Sequence, residues 1–135
     1  MRSPIYWVLW VLRHLEALGE LIIARIELLA RGWDRTLEAA RRRQGISGNR
    51  QKYCEHTLRA VERSLWRTSR LVPGVTCIHR ALSAQRMMAR RGFSAKVVIG
   101  LRRGPQQVEG HAWIEVGSLK AFVDDAHLFT VLPTG

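Results

Sequence analysis

From residue 5 onward apolar side chains recur at helical spacing, with Leu15, Leu18, Ile22, Ile26 and Leu29 on one face, and this predicts a helix over residues 5–30. Gly19 weakens its middle, because glycine in a helix costs ~1 kcal/mol relative to alanine. A second helical run over residues 34–43 ends in Arg41-Arg42-Arg43, and Gly45, Ser47 and Gly48 mark residues 44–49 as a linker. A third helix is predicted over residues 51–70, with Cys54, Leu58, Val61 and Leu65 on its buried face. Cys54 reads there as a small core hydrophobe.

The pattern changes at Val72-Pro73-Gly74-Val75, a helix breaker, and Thr76 is placed to N-cap a helix over residues 77–91. In that helix Ile78, Ala81, Leu82, Met88 and Ala89 share a face, with His79, Ser83, Arg86 and Arg90 opposite. Gly92 is placed to end it in a left-handed turn. Residues 95–101 are rich in β-branched side chains and predict a strand, residues 102–110 a loop around Gly104-Pro105, and residues 111–116 a second strand. Gly117-Ser118 turns that strand into a third over residues 119–123, and connections this short favour antiparallel neighbours. The expected fold class is α+β: a helical region over residues 1–70 packed on a helix-and-sheet core over residues 71–135, all one compact unit.

Composition narrows this. With 135 residues, 47% of them hydrophobic, the chain can bury an ordinary core, which excludes a disordered class. Cys54 and Cys77 are the only cysteines, too few for a disulfide framework or a metal quartet. Reduced thiols in a cytoplasmic protein are expected, with a Cys54–Cys77 bridge as the alternative. The net charge of +11 is carried almost wholly by arginine, since Lys52, Lys96 and Lys120 are the only lysines. Arginine suits bidentate pairing with carboxylates and phosphates, so an acidic peptide, a nucleic acid or a membrane surface are the partner classes to weigh. The arginines are spread along the chain without an aromatic-interleaved motif, which argues against nucleic acid. The apolar start at residues 5–12 is stopped by Arg13, His14 and Glu16, whereas a spanning helix needs roughly 20 apolar residues. No small-residue cleavage site follows it. Tyr6, Trp7 and Trp10 suit peripheral contact with a membrane through this helix.

Candidate chemistry concentrates on Cys77, His111 and the neighbouring Asp124 and Asp125. A cysteine at a helix start meets the positive end of the macrodipole, which suits a thiolate nucleophile. A histidine on a rigid strand can exchange its proton, and a carboxylate can orient the ring. Alternation beyond Val123 would point Asp124 and Asp125 to opposite sides, so that only one faces the imidazole. Residue types and order alone are equally compatible with a structural thiol and a structural histidine. His79 lies two residues from Cys77 on one helix, where side chains do not face each other. His14, His56 and His127 have no evident nucleophile. No His-Glu-x-x-His, phosphate-loop or dinucleotide fingerprint occurs, so no metal or cofactor is expected.

Several motifs occur in a fixed order: Leu71-Val72-Pro73-Gly74-Val75-Thr76-Cys77, Arg80-Ala81-Leu82, Arg90-Arg91-Gly92-Phe93-Ser94-Ala95, Val98-Ile99-Gly100 and Gly110-His111-Ala112-Trp113-Ile114-Glu115. Over residues 71–125 the chain resembles the lasso-peptide leader peptidases, small transglutaminase-like cysteine proteases of bacterial peptide-natural-product clusters. Over residues 5–43 the likeness is compositional, an arginine- and leucine-rich helical front. The resemblance implies a transglutaminase/papain-like core with Cys77 as nucleophile, His111 as general base and acid, and Asp124 as the orienting carboxylate, Asp125 being the alternative. It implies hydrolysis of one amide bond that frees the leader of a ribosomal precursor peptide before a macrocyclase closes the ring. It also implies a separate leader-recognition protein as partner, since this chain has no room for that domain. The Cys77 amide is a candidate oxyanion donor. The competing class is a basic, non-enzymatic interaction protein that binds nucleic acid or an acidic surface, with a structural Cys/His pair.

Overall fold

The computed structural model describes residues 3–43 and 51–132, and the linker expected at residues 44–49 lies outside them. Helix α1 spans Pro4–Arg42 and is interrupted at Gly32, whose backbone (φ 78°, ψ 174°) is not helical. The break anticipated between residues 30 and 34 is therefore a kink between two helical rods. The buried Thr36 hydroxyl secures it by donating to the Gly32 carbonyl at 2.8 Å. Helix α2 spans Gln51–Ser69 and α3 Cys77–Arg90. Strands β1 (Lys96–Arg103), β2 (Val108–Val116), β3 (Leu119–Ala121) and β4 (Thr130–Val131) form one antiparallel sheet in the order β3-β2-β1-β4. The architecture is α+β with a helical N-terminal half, as the pattern predicts. The short edge strand β4 has no counterpart in the sequence reading.

Helix α2 buries the predicted stripe, Cys54, Leu58, Val61 and Leu65. Helix α1 does not. Its apolar stripe faces outward, Ile26 being 59% and Leu29 79% exposed, while Ala17, Glu20, Leu21, Ala24 and Glu27 are buried. The cause lies in α3. Ala17 and Ala24 are small enough for close helix approach, and the glutamates meet arginines of α3. Arg86 pairs with Glu27 and, at 3.4 Å, with Glu20; Arg90 pairs with Glu20 and, at 3.0 Å, with Glu16. Arg91 grips Glu16 at 2.7 Å. Burial pushes the Glu16 carboxyl up, but Arg91 and Arg90 outweigh it and hold it below the usual carboxylate range.

Helix α3 is buried on nearly all sides because α1, α2 and the sheet all pack on it. The division expected between an apolar and a polar face therefore fails: His79, Ser83 and Gln85 are buried, and Ala89 is exposed. The buried polar groups are satisfied locally. Ser83 donates to the His79 carbonyl at 2.7 Å, and the Gln85 amide donates to the carbonyls of Ala40 (2.8 Å) and Ala95 (3.0 Å), tying α3 to both α1 and the sheet. Gly92 ends the helix at φ 84°, with the amides of Gly92 and Phe93 returning to the carbonyls of Ala89 and Met88.

The loop expected over residues 102–110 is mostly strand. Register pairs Arg102 with Glu109 and Arg103 with Val108, leaving only residues 104–107 as the turn, closed by a Gly104 N–H bond to the Gln107 carbonyl at 2.9 Å. His111 consequently lies mid-strand, opposite Gly100. A Cβ on Gly100 would come within 2.7 Å of Phe129 and 2.8 Å of the Trp113 ring, so glycine is what lets those aromatics close over the strand. Strand β3 ends at Ala121, short of the predicted Val123, because Phe122 adopts the left-handed conformation (φ 70°).

Candidate active site

Cys77 is the first residue of α3 and is half-buried. The turn that presents it is held by a capping contact: the Thr76 N–H donates to Nδ1 of His79 at 3.0 Å. A glutamate or glutamine usually occupies this third helical position and returns to the cap. Here a histidine does so, which gives His79 a role that the i, i+2 argument missed. The signal was the Thr-x-x-His spacing. Burial lowers the His79 pKa, and the guanidiniums of Arg25 and Arg80 lower it further. The bond to Thr76 requires the neutral ring, so burial and capping agree.

Arg80 lies one turn beyond Cys77. Its guanidinium sits 4.2 Å from the centre of the Trp66 ring of α2, a cation–π contact. Burial lowers its pKa, while charge on Cys77 acts in the opposite direction, so cation and sulfur are electrostatically coupled.

His111 is half-buried in β2 among aromatic rings, its centroid 6.1 Å from Trp113 and 5.6 Å from Phe129. Nε2 lies 2.6 Å from the backbone carbonyl of Phe122. A carbonyl only accepts, so Nε2 carries the proton and the neutral ring holds its lone pair at Nδ1. Phe122 is itself positioned from α2. Its N–H donates to Glu62 Oε2 at 2.9 Å, and its ring contacts Trp66 at 5.9 Å. Glu62 is held in turn by Arg59, which also donates to the Lys120 carbonyl at 3.0 Å. Glu62, Trp66 and the Phe122 carbonyl went unread in the sequence. A backbone carbonyl has no residue-type signature, and the left-handed Phe122 has none either.

The predicted site residues converge only in part. Helix α3 packs on β2, which joins the elements bearing Cys77 and His111, but no hydrogen bond links the two side chains in this structure. Asp124 is exposed and is not hydrogen-bonded to His111; the atom at Nε2 is the Phe122 oxygen. Asp125 accepts from Arg102 at 2.7 Å. Both aspartates follow the end of β3, so strand alternation does not order them. His56 and His127 are exposed. Among the described residues no group of three or more His, Cys, Asp or Glu side chains could hold a metal ion, and no helix is long and apolar enough to cross a membrane.

Residues 21–133 match the family profile described as the transglutaminase-like superfamily. No curated protein and no solved structure matches the chain.

Proposed function

Because the chain belongs to the transglutaminase-like superfamily, we propose that it is a cysteine peptidase with Cys77 as nucleophile and His111 as general base and acid. The observation that carries this reading is the Phe122 carbonyl on Nε2 of His111, which leaves Nδ1 as the basic atom. Cys77 Sγ attacks the scissile carbonyl, and its proton passes through His111 to the leaving amine. A thioester results, and water deprotonated by His111 hydrolyses it. The Cys77 amide, in the first helical turn where no intrahelical acceptor exists, donates to the developing oxyanion. Asp124, two residues past the carbonyl that fixes the ring, supplies negative charge for the imidazolium.

The substrate in this reading is the leader region of a ribosomally made lasso-peptide precursor, cleaved in the cytoplasm before a macrocyclase acts. The ordered motifs from Pro73 to Trp113 support it. The outward apolar stripe of α1 supports a protein partner such as a separate leader-recognition protein, because contiguous exposed apolar surface marks association sites. The test is release of leader from full precursor with the recognition protein present. Cys77→Ala should abolish release with the fold intact, and Cys54→Ala should retain most of it. Cleavage by a folded Cys77→Ala variant refutes the reading.

A further inference from the structure

Seven arginines of the described chain (Arg41, Arg42, Arg59, Arg86, Arg90, Arg91 and Arg102) pair with carboxylates. Arg13, Arg63 and Arg67 have no carboxylate partner among the described residues, yet all three line one cleft of about 480 Å³ between the start of α1 and α2. Tyr6, Trp7 and Trp10 form its aromatic wall, with the rings of Trp7 and Trp10 edge to face at 6.0 Å. Three like charges gathered in one concavity repel, and nothing in the described chain neutralises them. The arrangement suits an anion.

Size and chemistry favour a peptide. His14 also lines the cleft, its Nδ1 2.8 Å from the Trp10 carbonyl and its ring tilted over Trp10 at 3.9 Å. A peptide supplies carboxylates for guanidiniums that take them bidentately, and apolar side chains for the aromatic wall. The volume also fits a short segment, lying within the roughly 300–1,000 Å³ of small-ligand pockets. A channel that tracks single-stranded nucleic acid must span at least about four nucleotides.

We propose that this cleft binds an acidic peptide segment in which carboxylates alternate with aromatic or apolar side chains. The carboxylates engage Arg13, Arg63 and Arg67, and the apolar side chains pack on Trp7 and Trp10. The site does not use Cys77 chemistry. At 100° per residue, Ala60 and Arg67 of α2 lie 100° or more around the helix from Glu62 and Trp66, which turn toward Phe122, and Arg63 lies between the two faces.

The experiment is calorimetric titration of the full chain with an N-acetylated, C-amidated Glu-Phe-Glu-Phe-Glu peptide, its Gln-Phe-Gln-Phe-Gln counterpart and a ten-residue oligothymidylate. Saturable binding of the acidic peptide is expected, weakened about tenfold or more by exposed-surface Arg63→Gln/Arg67→Gln, with the glutamine peptide much weaker. About tenfold is the loss of one charge-assisted bond, so the double variant sets a lower bound. Circular dichroism confirms that the variant is folded. Absence of binding, equal binding by the folded variant, or equal binding of the glutamine peptide overturns the proposal. Tighter, Arg63- and Arg67-dependent binding of the oligonucleotide also overturns it, in favour of nucleic acid.

Discussion

Glu62→Ala removes the acceptor of the Phe122 N–H and leaves the residue that faces His111 in a left-handed conformation supported by its ring contact with Trp66 alone. A non-glycine residue at φ 70° costs about 1–2 kcal/mol. A hydrogen bond to a carboxylate contributes about 1.5–3 kcal/mol, and the ring contact with Trp66 about 0.5–1.5 kcal/mol. With Glu62 present the two contacts outweigh the strain. Without it the ring contact alone roughly balances the strain, so Phe122 relaxes and its carbonyl leaves Nε2 of His111. The bond lost there is worth about 1 kcal/mol, which is about fivefold in a rate that depends on His111. Glu62→Gln should restore most of the effect, because its amide oxygen accepts the same N–H.

Two readouts need no substrate. The first is the nitrogen chemical shifts of His111, which distinguish a ring protonated at Nε2 from a mixture of tautomers. The second is the alkylation rate of Cys77 by iodoacetamide, with buried Cys54 as the slow internal reference; burial raises the Cys54 pKa. Glu62→Ala is expected to mix the tautomers and slow alkylation about fivefold, with Glu62→Gln close to the parent. A folded Glu62→Ala protein with unchanged nitrogen shifts and unchanged alkylation refutes the positioning of His111 from α2.

Asp124→Asn should lower turnover by far less than the ~10⁴ seen when a serine-protease triad aspartate is replaced, because the Phe122 carbonyl already fixes the tautomer; Asp125→Asn should be nearly silent. Equal turnover of both variants with saturating precursor and partner would leave a Cys77–His111 dyad. Arg86→Met strands Glu27 in the α1–α3 interface, Glu20 keeping Arg90, and should cost about 3–5 kcal/mol by urea denaturation, whereas a cost under about 1 kcal/mol would show the pair to be dispensable. His79 has a folded pKa below its unfolded value, so its contribution is present above about pH 6.5 and is lost as pH falls through the folded value. His79→Gln keeps an acceptor for the Thr76 N–H without titrating, so the drop in melting temperature between pH 7.5 and 5 should shrink; an unchanged drop assigns the acid sensitivity to other groups.

What was legible followed apolar periodicity wherever that periodicity coincided with burial. Leu58, Val61 and Leu65 of α2 and the strands around Val97 and Ile114 are such cases. In α1 the rule misled, because most of its bulky residues are outside and its buried face is mainly alanine and glutamate around Leu21. The better signal was charge at helical spacing: Glu16, Glu20 and Glu27 on one chain segment, Arg86 and Arg90 on another. Thr76 and Gly92 were readable because cap and terminator chemistry is local. Cys77 and His111 stand out as candidates because their residue types are rare and chemically specific. Glu62 and Phe122 were not, since their role runs through a backbone carbonyl set by a tertiary contact 60 residues apart.

Two groups of arginines in this chain sit in different physical surroundings, and the contrast bears on what its charge of +11 is for. Arg86 is largely buried between Glu20 and Glu27, where added salt screens little. Arg13, Arg63 and Arg67 line an open cleft without counter-charges, where about 0.15 M salt already limits attraction to roughly 8 Å. A non-specific basic surface would engage polyanions through arginines scattered over the molecule. Here seven of the described arginines are already engaged by the chain's own carboxylates, and three of those without such a partner converge at the aromatic end of α1. Added salt should therefore leave the fold nearly unchanged while peptide affinity at the cleft falls. If instead unfolding stability and binding decline together, the arginines act as one diffuse field, and the molecule is better described as a basic interaction protein than as an enzyme with a separate peptide site.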